Sequence, residues 1–358
     1  MDFVVSAIAG SRAGWRALTA ALLLASASAT GAKPVGDALD RPALTSPFAA
    51  KAVLNGAAQA GGRLVAVGER GIVVVSRDGG ARWRQVPCPV SVGLTAVRFA
   101  DDKHGYAVGH GGTVLTTVDG GESWERRFDG RSAARLALAT ARASGDMAAL
   151  AEAERLVADG PDKPLLDVLV IDSERAIVVG AYGLAFSTTD GGRTWTSLAH
   201  RLANPKGLHL YAIRARGSRI LVAGEQGLVR LSENGGESFN IVSTPYRGSF
   251  FTAELTSDTE MVAAGLRGNV WRSIDSGRSW TQVPVSVPAS ITASTVRENG
   301  DLVLVNQAGG LLSVRAGDVS LFNAQPLPPL NAVLDTRDGG VLVFGSQGPV
   351  AITAGGRK

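Results

Sequence analysis

Ser76-Arg-Asp78-Gly-Gly80-Ala-Arg-Trp83, Thr117-Val-Asp119-Gly-Gly121-Glu-Ser-Trp124, Thr188-Thr-Asp190-Gly-Gly192-Arg-Thr-Trp195, Ser232-Glu-Asn234-Gly-Gly236-Glu-Ser-Phe239 and Ser273-Ile-Asp275-Ser-Gly277-Arg-Ser-Trp280 are five copies of one phrase. Each sets a hydroxyl, an acid or its amide, a glycine and an aromatic at fixed offsets. The pattern suits a tight hairpin: the acid accepts N–H bonds from its own turn, the glycine takes positive φ, and the aromatic packs over the hairpin. Its acids read as turn-builders. Spaced one per repeat around a rim, they do not converge as catalytic acids or metal ligands would.

A second signature precedes each phrase and extends the count. Hydrophobic strands end in Gly68-Glu-Arg-Gly71, Gly109-His-Gly-Gly112, Gly180-Ala-Tyr-Gly183, Gly224-Glu-Gln-Gly227 and Gly265-Leu-Arg-Gly268, and Asn306-Gln-Ala-Gly309 and Gly345-Ser-Gln-Gly348 keep the phase where the phrase has decayed. Successive turns lie 41, 71, 44, 41, 41 and 39 residues apart. A period near 40 with four short strands per repeat predicts a propeller blade. The expected fold is therefore an all-β, seven-bladed β-propeller over 53–358 with four-stranded blades.

The long interval holds an insertion between blades 2 and 3, about 130–163. Arg131–Arg142 and Met147–Val157 are rich in helix formers, with Gly145 between them and Gly160-Pro161 as a stop, so a helical hairpin is expected. Its apolar stripes would pack on each other and on the propeller, or dock a partner. At the other end, the last repeat runs short after Val350-Ala-Ile-Thr353. The segment 33–52, around Ala43–Val53, is expected to supply the missing outer strand or to be helical.

The first 32 residues read as a secretory signal: Arg12 and Arg16, an apolar core Ala17–Leu24, then small residues through Ala29. That core is too short to span a bilayer. The expected location is the periplasm or another exported compartment, with no transmembrane segment after cleavage. Cys88 is the only cysteine, so no internal disulfide can form. The net charge of +4 is dispersed without a basic run, which argues against nucleic acid as a partner.

The five phrases resemble the Asp-box, or BNR, repeat of sialidases, some glucanases and non-catalytic propellers. The runs Leu64–Gly71, Gly105–Gly112 and Val179–Gly183 are similar to one branch of it, the photosystem II stability/assembly factor family with its exported bacterial relatives. The resemblance covers about 50–350. It implies a seven-bladed scaffold that binds a protein partner, with no catalytic residues to carry over. It makes Asp78, Trp83, Asp119, Trp124, Asp190, Trp195, Asn234, Phe239, Asp275 and Trp280 structural.

In such a ring the Gly-x-x-Gly turns share a face with the connections between blades, and loops carry function on rigid scaffolds. Here those connections are the long ones, so the rim residues Glu69, Arg70, His110, Tyr182, Glu225, Gln226 and Arg267, with Gln307 and Gln347, are the candidate partner-binding set. Turn residues are also polar simply because they are wet. The reading is a monomeric, non-catalytic assembly or scaffold factor for a membrane complex or transporter, needing no cofactor or metal. The competing reading is a glycoside hydrolase, which needs two carboxylates at the right separation; Asp167, Asp172, Glu225 and Glu254 are the available acids. His104, His110, His200 and His209 show no metal-ligand spacing.

Overall fold

The computed structural model describes residues 36–322, 327–336, 339–353 and 356–357; the signal-like leader lies outside them. Seven four-stranded antiparallel sheets follow one another along the chain. The innermost strands are Leu54–Ala60, Leu94–Phe99, Leu165–Val170, Leu210–Arg216, Phe250–Leu255, Ile291–Val296 and Leu330–Asp335, each in contact with the next and the last with the first. The ring is a seven-bladed propeller.

The second strand of each blade, such as Gly105–Gly109 or Met261–Gly265, is buried at every residue but Arg63 of the first. Such a strand is covered on both faces, which is why these segments read as continuous Val/Ala/Leu runs instead of alternating. The cores sit between blades: Val65 and Val67 pack with Val97 and Leu115, and Leu342 and Phe344 of the last blade pack with Leu64 and Val74 of the first. No blade buries its faces alone, so closure of the ring is what completes the core.

The Asp-boxes bind themselves together. In the third, Thr188 Oγ1 donates to Asp190 at 2.9 Å and accepts the Gly192 N–H at 3.0 Å. Asp190 accepts the Thr194 N–H at 2.9 Å and its hydroxyl at 2.6 Å, and the Trp195 indole N–H closes on Gly192 O at 3.0 Å. The aromatic reaches the preceding blade's seam, where Trp195 stands 5.3 Å from Phe128 and Trp83 makes an edge contact with Phe344. These bonds hold Asp190, Asp78 and Asp275 down to about 2 against the usual 3.8; Thr194, Arg82 and Ser279 side chains are the largest causes in turn. Because the folded pKa lies below the unfolded one, this stabilisation is present above about pH 4 and disappears as pH falls towards 2. Asn234 makes the same hydroxyl and backbone bonds, at 2.9 and 3.0 Å, without titrating. Replacing Asp78, Asp190 and Asp275 together with Asn is therefore expected to flatten the fall in melting temperature between pH 4 and 2, measured by circular dichroism; an unchanged slope would contradict it.

The last blade is completed by its own chain. Ile352 pairs with Arg357 and Thr353 with Gly356, so the fourth strand is Gly356–Arg357. Ala43–Val53 is not that strand, because Gly356–Arg357 fills the outer position. The segment lies instead over the turns near the join: Ala43 N–H donates to Cys88 O, Gln85 exchanges bonds with Ser46 N–H and Leu44 O, and a short 3-10 turn covers Ala49–Lys51.

The insertion is a helical hairpin, α1 (Gly130–Ser144) and α2 (Met147–Asp159). Asp129 caps α1 through the Ser132 N–H, and Gly145 ends it in the left-handed region. Ala133 and Leu136 pack into the seam of blades 2 and 3, so part of the apolar stripe is structural. Arg131 ties α1 to Asp37 and Asp40 at 2.6 and 2.9 Å. Met147 and Val157 are left exposed.

Candidate functional site at the channel mouth

The seven glycine turns all dock in one way. The residue after the first glycine, or after Asn306 in blade 6, donates its N–H to the carbonyl just before its own blade's inner strand: Glu69 to Val53, His110 to Gly93, Ala181 to Pro164, Glu225 to His209, Leu266 to Ser249, Gln307 to Ser290 and Ser346 to Pro329. The turns and the inter-blade connections thus form one continuous upper face. A Cβ on Gly224 would stand 2.2 Å from His209 O, so the first glycine is required by this close approach and not by its φ. The last glycine meets both limits: Gly227 has φ +75 and a Cβ there would lie 2.0 Å from Tyr246 O.

The rim residues sort into two groups. Glu69 and Glu225 are anchored, accepting the Val53 N–H at 3.3 Å and the His209 N–H at 3.1 Å. Arg70, Tyr182, Gln226 and Arg267 are exposed and sit at φ between 54 and 57, in a position that blade 2 fills with Gly111. Non-glycine residues in this region carry strain, which persists where the surroundings over-determine it. His110 is exposed beside Gly93. With Gln307 and Gln347, the predicted set is spread one turn per blade over all seven blades.

What does converge lies just inside it. Every inner strand carries a register break one residue after its start, at Asn55, Thr95, Leu166, Tyr211, Phe251, Thr292 and Asn331. All seven residues line a cavity of about 90 Å³ at the channel mouth. Bulges of this kind re-aim side chains and gather near functional sites. The polar members clamp neighbouring blades: Asn55 donates to Leu94 O at 3.0 Å, Thr95 to Leu165 O at 2.8 Å, Thr292 to Leu330 O at 2.7 Å, and Asn331 to Leu54 O at 3.3 Å. Leu166 and Phe251 carry no side-chain donor, and the Tyr211 hydroxyl makes no such clamp among the described residues. They leave one apolar sector across blades 3 to 5.

That sector continues outwards as an aromatic arc. Phe251 meets Tyr211 at 5.1 Å between ring centres, Tyr211 meets His209 at 6.0 Å, and His209 meets Tyr182 at 4.9 Å. The Tyr182 N–H donates to His209 Nδ1 at 3.1 Å, and Lys163, at the end of the helical insertion, lies 5.5 Å over the Tyr182 ring. Only Tyr182 of this arc belongs to the sequence-predicted rim. The others could have been found by stacking the repeats on their inner strands, where Leu54-Asn-Gly, Leu94-Thr-Ala, Leu210-Tyr-Ala and Phe250-Phe-Thr show one variable position between a large apolar and a small residue.

The cavity floor is ionic. Arg214 lies between Asp167, which it bonds closely, and Glu254, whose Oε1 is 3.2 Å from its Nε. Asp167 also accepts the Val168 and Ile213 N–H groups at 3.0 and 3.1 Å, and Glu254 accepts the Ser294 hydroxyl at 2.8 Å. Burial opposes the Arg214 charge, yet Asp167 and Glu254 hold its pKa well above the ordinary value. Arg98, 3.7 Å from Asp167, is pushed down by burial and by Arg214. The four acids raised in the sequence do not form an acid/base pair: Asp167 and Glu254 share one guanidinium, Asp172 binds Arg175 at 2.6 Å on the opposite face, and Glu225 holds a backbone amide. Among the described residues no group of three or more His, Cys, Asp or Glu is placed to hold a metal.

The repeats and the closed ring define an Asp-box β-propeller with an elaborated upper face. Residues 75–151 and 155–323 match the family model described as photosynthesis system II assembly factor YCF48, and the chain belongs to that family. It is 23% identical over 283 residues to the photosystem II assembly lipoprotein Ycf48 of Synechococcus sp. (strain CC9902), an alignment covering 76% of each chain. Its fold is similar to that of YCF48 from Cyanidioschyzon merolae, with a TM-score of 0.58 at 15% identity over 85% of this chain and 95% of the other. It is also similar to the GH74 xyloglucanase of Xanthomonas campestris, with a TM-score of 0.60 at 13% identity over 86% and 53%. At these identities the two structures speak for the fold alone. The only cysteine of this chain, Cys88, is buried in the first seam, where desolvation pushes the thiol up to about 11. Among the described residues no helix is long and apolar enough to cross a membrane.

Proposed function

We propose that the chain is a non-catalytic, exported assembly or scaffold factor that binds a protein of a membrane complex through the channel mouth on its upper face. The observation that carries this reading is the aromatic arc Tyr182–His209–Tyr211–Phe251, exposed at Tyr182 and half-buried at the other three, on a scaffold whose four polar bulge residues are spent on clamping blades. Exposed aromatics over a concave site are the usual anchors of protein interfaces. Membership of an assembly-factor family supports it, as does the tie-up of Asp167 and Glu254 by Arg214. The leader at 1–32 supports export, and the exposed Met147 and Val157 of the helical hairpin extend the contact surface.

Affinity capture from solubilised membranes tests this. The Tyr211→Ala/Phe251→Ala double variant is expected to lose at least about tenfold in recovered partner, since truncated hot-spot aromatics cost about 2 kcal/mol or more each, while its circular dichroism stays native. Met147→Glu/Val157→Glu is expected to weaken capture less. Undiminished capture by the mouth variant would overturn the proposal.

A further inference from the structure

We propose that a groove over the fourth blade, on the same upper face, docks an acidic, extended peptide segment of the partner; this rests on the protein-binding reading of the channel mouth. The groove is a cavity of about 380 Å³ walled by loop residues 203–208 on one side and 243–247 on the other. Each wall carries one exposed cation, Lys206 and Arg247, and neither has a carboxylate partner among the described residues. No acid lines the groove, so its charge is wholly positive. An anionic occupant balances it.

The walls are built in advance. Arg230 is buried and spends its donors on the first wall, giving Nε to Leu202 O at 2.7 Å and Nη2 to Ala203 O at 2.8 Å, so it braces the site and is not its anion contact. Asn204 ties the same loop through two bonds to Leu208, at 2.8 and 3.1 Å. Ala203 and Gln226, both on the groove lining, sit at φ 46 and 54. The second loop is pinned by Tyr246, whose ring lies 5.1 Å from Phe250 and whose hydroxyl donates to Leu266 O at 3.1 Å, leaving Arg247 outward. Leu208, Val242 and the exposed Ile241 add apolar surface to the lining. A peptide offers both carboxylates for the walls and apolar side chains for that surface; a phosphate surface offers only an anion for the walls.

The test uses fluorescence anisotropy with a dye-labelled peptide of repeated Glu-Gly-Leu and its Lys-Gly-Leu counterpart, on the full chain at low and high salt. The Glu peptide is expected to bind, to weaken at high salt, and to lose about tenfold or more with Lys206→Glu/Arg247→Glu, because rim charge reversal converts attraction into repulsion. Arg193→Glu/Arg278→Glu, on the box face, is expected to bind normally. Equal binding of both peptides, unchanged binding by the groove variant, or binding of anionic lipid vesicles without the Glu peptide would each overturn the inference. Tyr211→Ala/Phe251→Ala is expected to keep the Glu peptide while losing the membrane partner; a groove variant that captures the partner at full strength would sink the groove and leave the mouth standing.

Discussion

Arg214→Met is expected to lower the unfolding free energy by about 3–5 kcal/mol, because removing one member of a buried ion network leaves the others uncompensated. Asp167 and Glu254 are 4% and 9% exposed, and among the described residues the guanidinium between them is the only cation in direct contact with both. Arg98 stands 3.7 Å from Asp167 and cannot take over the Glu254 side. The triple variant Asp167→Asn/Arg214→Met/Glu254→Gln removes the stranded charges and is expected to recover part of the loss: Gln can still accept from Ser294, whereas Asn has one oxygen and can accept only one of the Val168 and Ile213 N–H groups. Urea midpoints of the two variants decide it. A single variant within about 1 kcal/mol of the parent would mean that water reaches the floor and screens the pair. A catalytic role for either acid predicts a different result, namely a stable protein with an altered activity.

Gly227→Ala is expected to destabilise by roughly 3 kcal/mol or more, since a left-handed backbone and a blocked Cβ act together. The added methyl would stand 2.0 Å from Tyr246 O and 2.8 Å from the Thr244 hydroxyl, both on the connection that leads into the fifth blade. Gly235, in the fourth Asp-box, is the control: its φ is +71 but nothing lies within 4 Å. Gly235→Ala is expected to cost only the conformational part, about 1–2 kcal/mol. Thermal melts of the pair separate the two contributions. Equal losses would show that the glycine turn is a matter of φ alone and that the docking of connections onto turns carries little stability.

The period of the repeat made the ring legible before any coordinate, because each blade is one local unit and its neighbours in sequence are its neighbours in space. In blade 2, the apolar runs Leu94–Phe99 and Gly105–Gly109 on either side of a short polar turn form its first two strands. The helical hairpin was equally local, with Gly145 between its helices and Gly160-Pro161 as its stop. The last strand was missed because two residues, Gly356 and Arg357, carry no pattern of their own. The site was legible only as a face. Glu69 and Glu225 looked like free rim charges, yet both serve backbone amides on neighbouring connections. Tyr182, Tyr211 and Phe251 stand far apart in the chain and are linked, Tyr182 through His209, only because three consecutive blades bring a turn residue and two inner-strand residues to the same mouth.

Site-specific photo-crosslinking tests the central claim most directly. A benzophenone side chain at Tyr182, on the mouth, is compared with one at Arg193, exposed on the box face. The account predicts that, in cells, the first gives a discrete adduct with a membrane-complex protein and the second gives none. The same adducts from both positions, or an adduct from Arg193 alone, would contradict it.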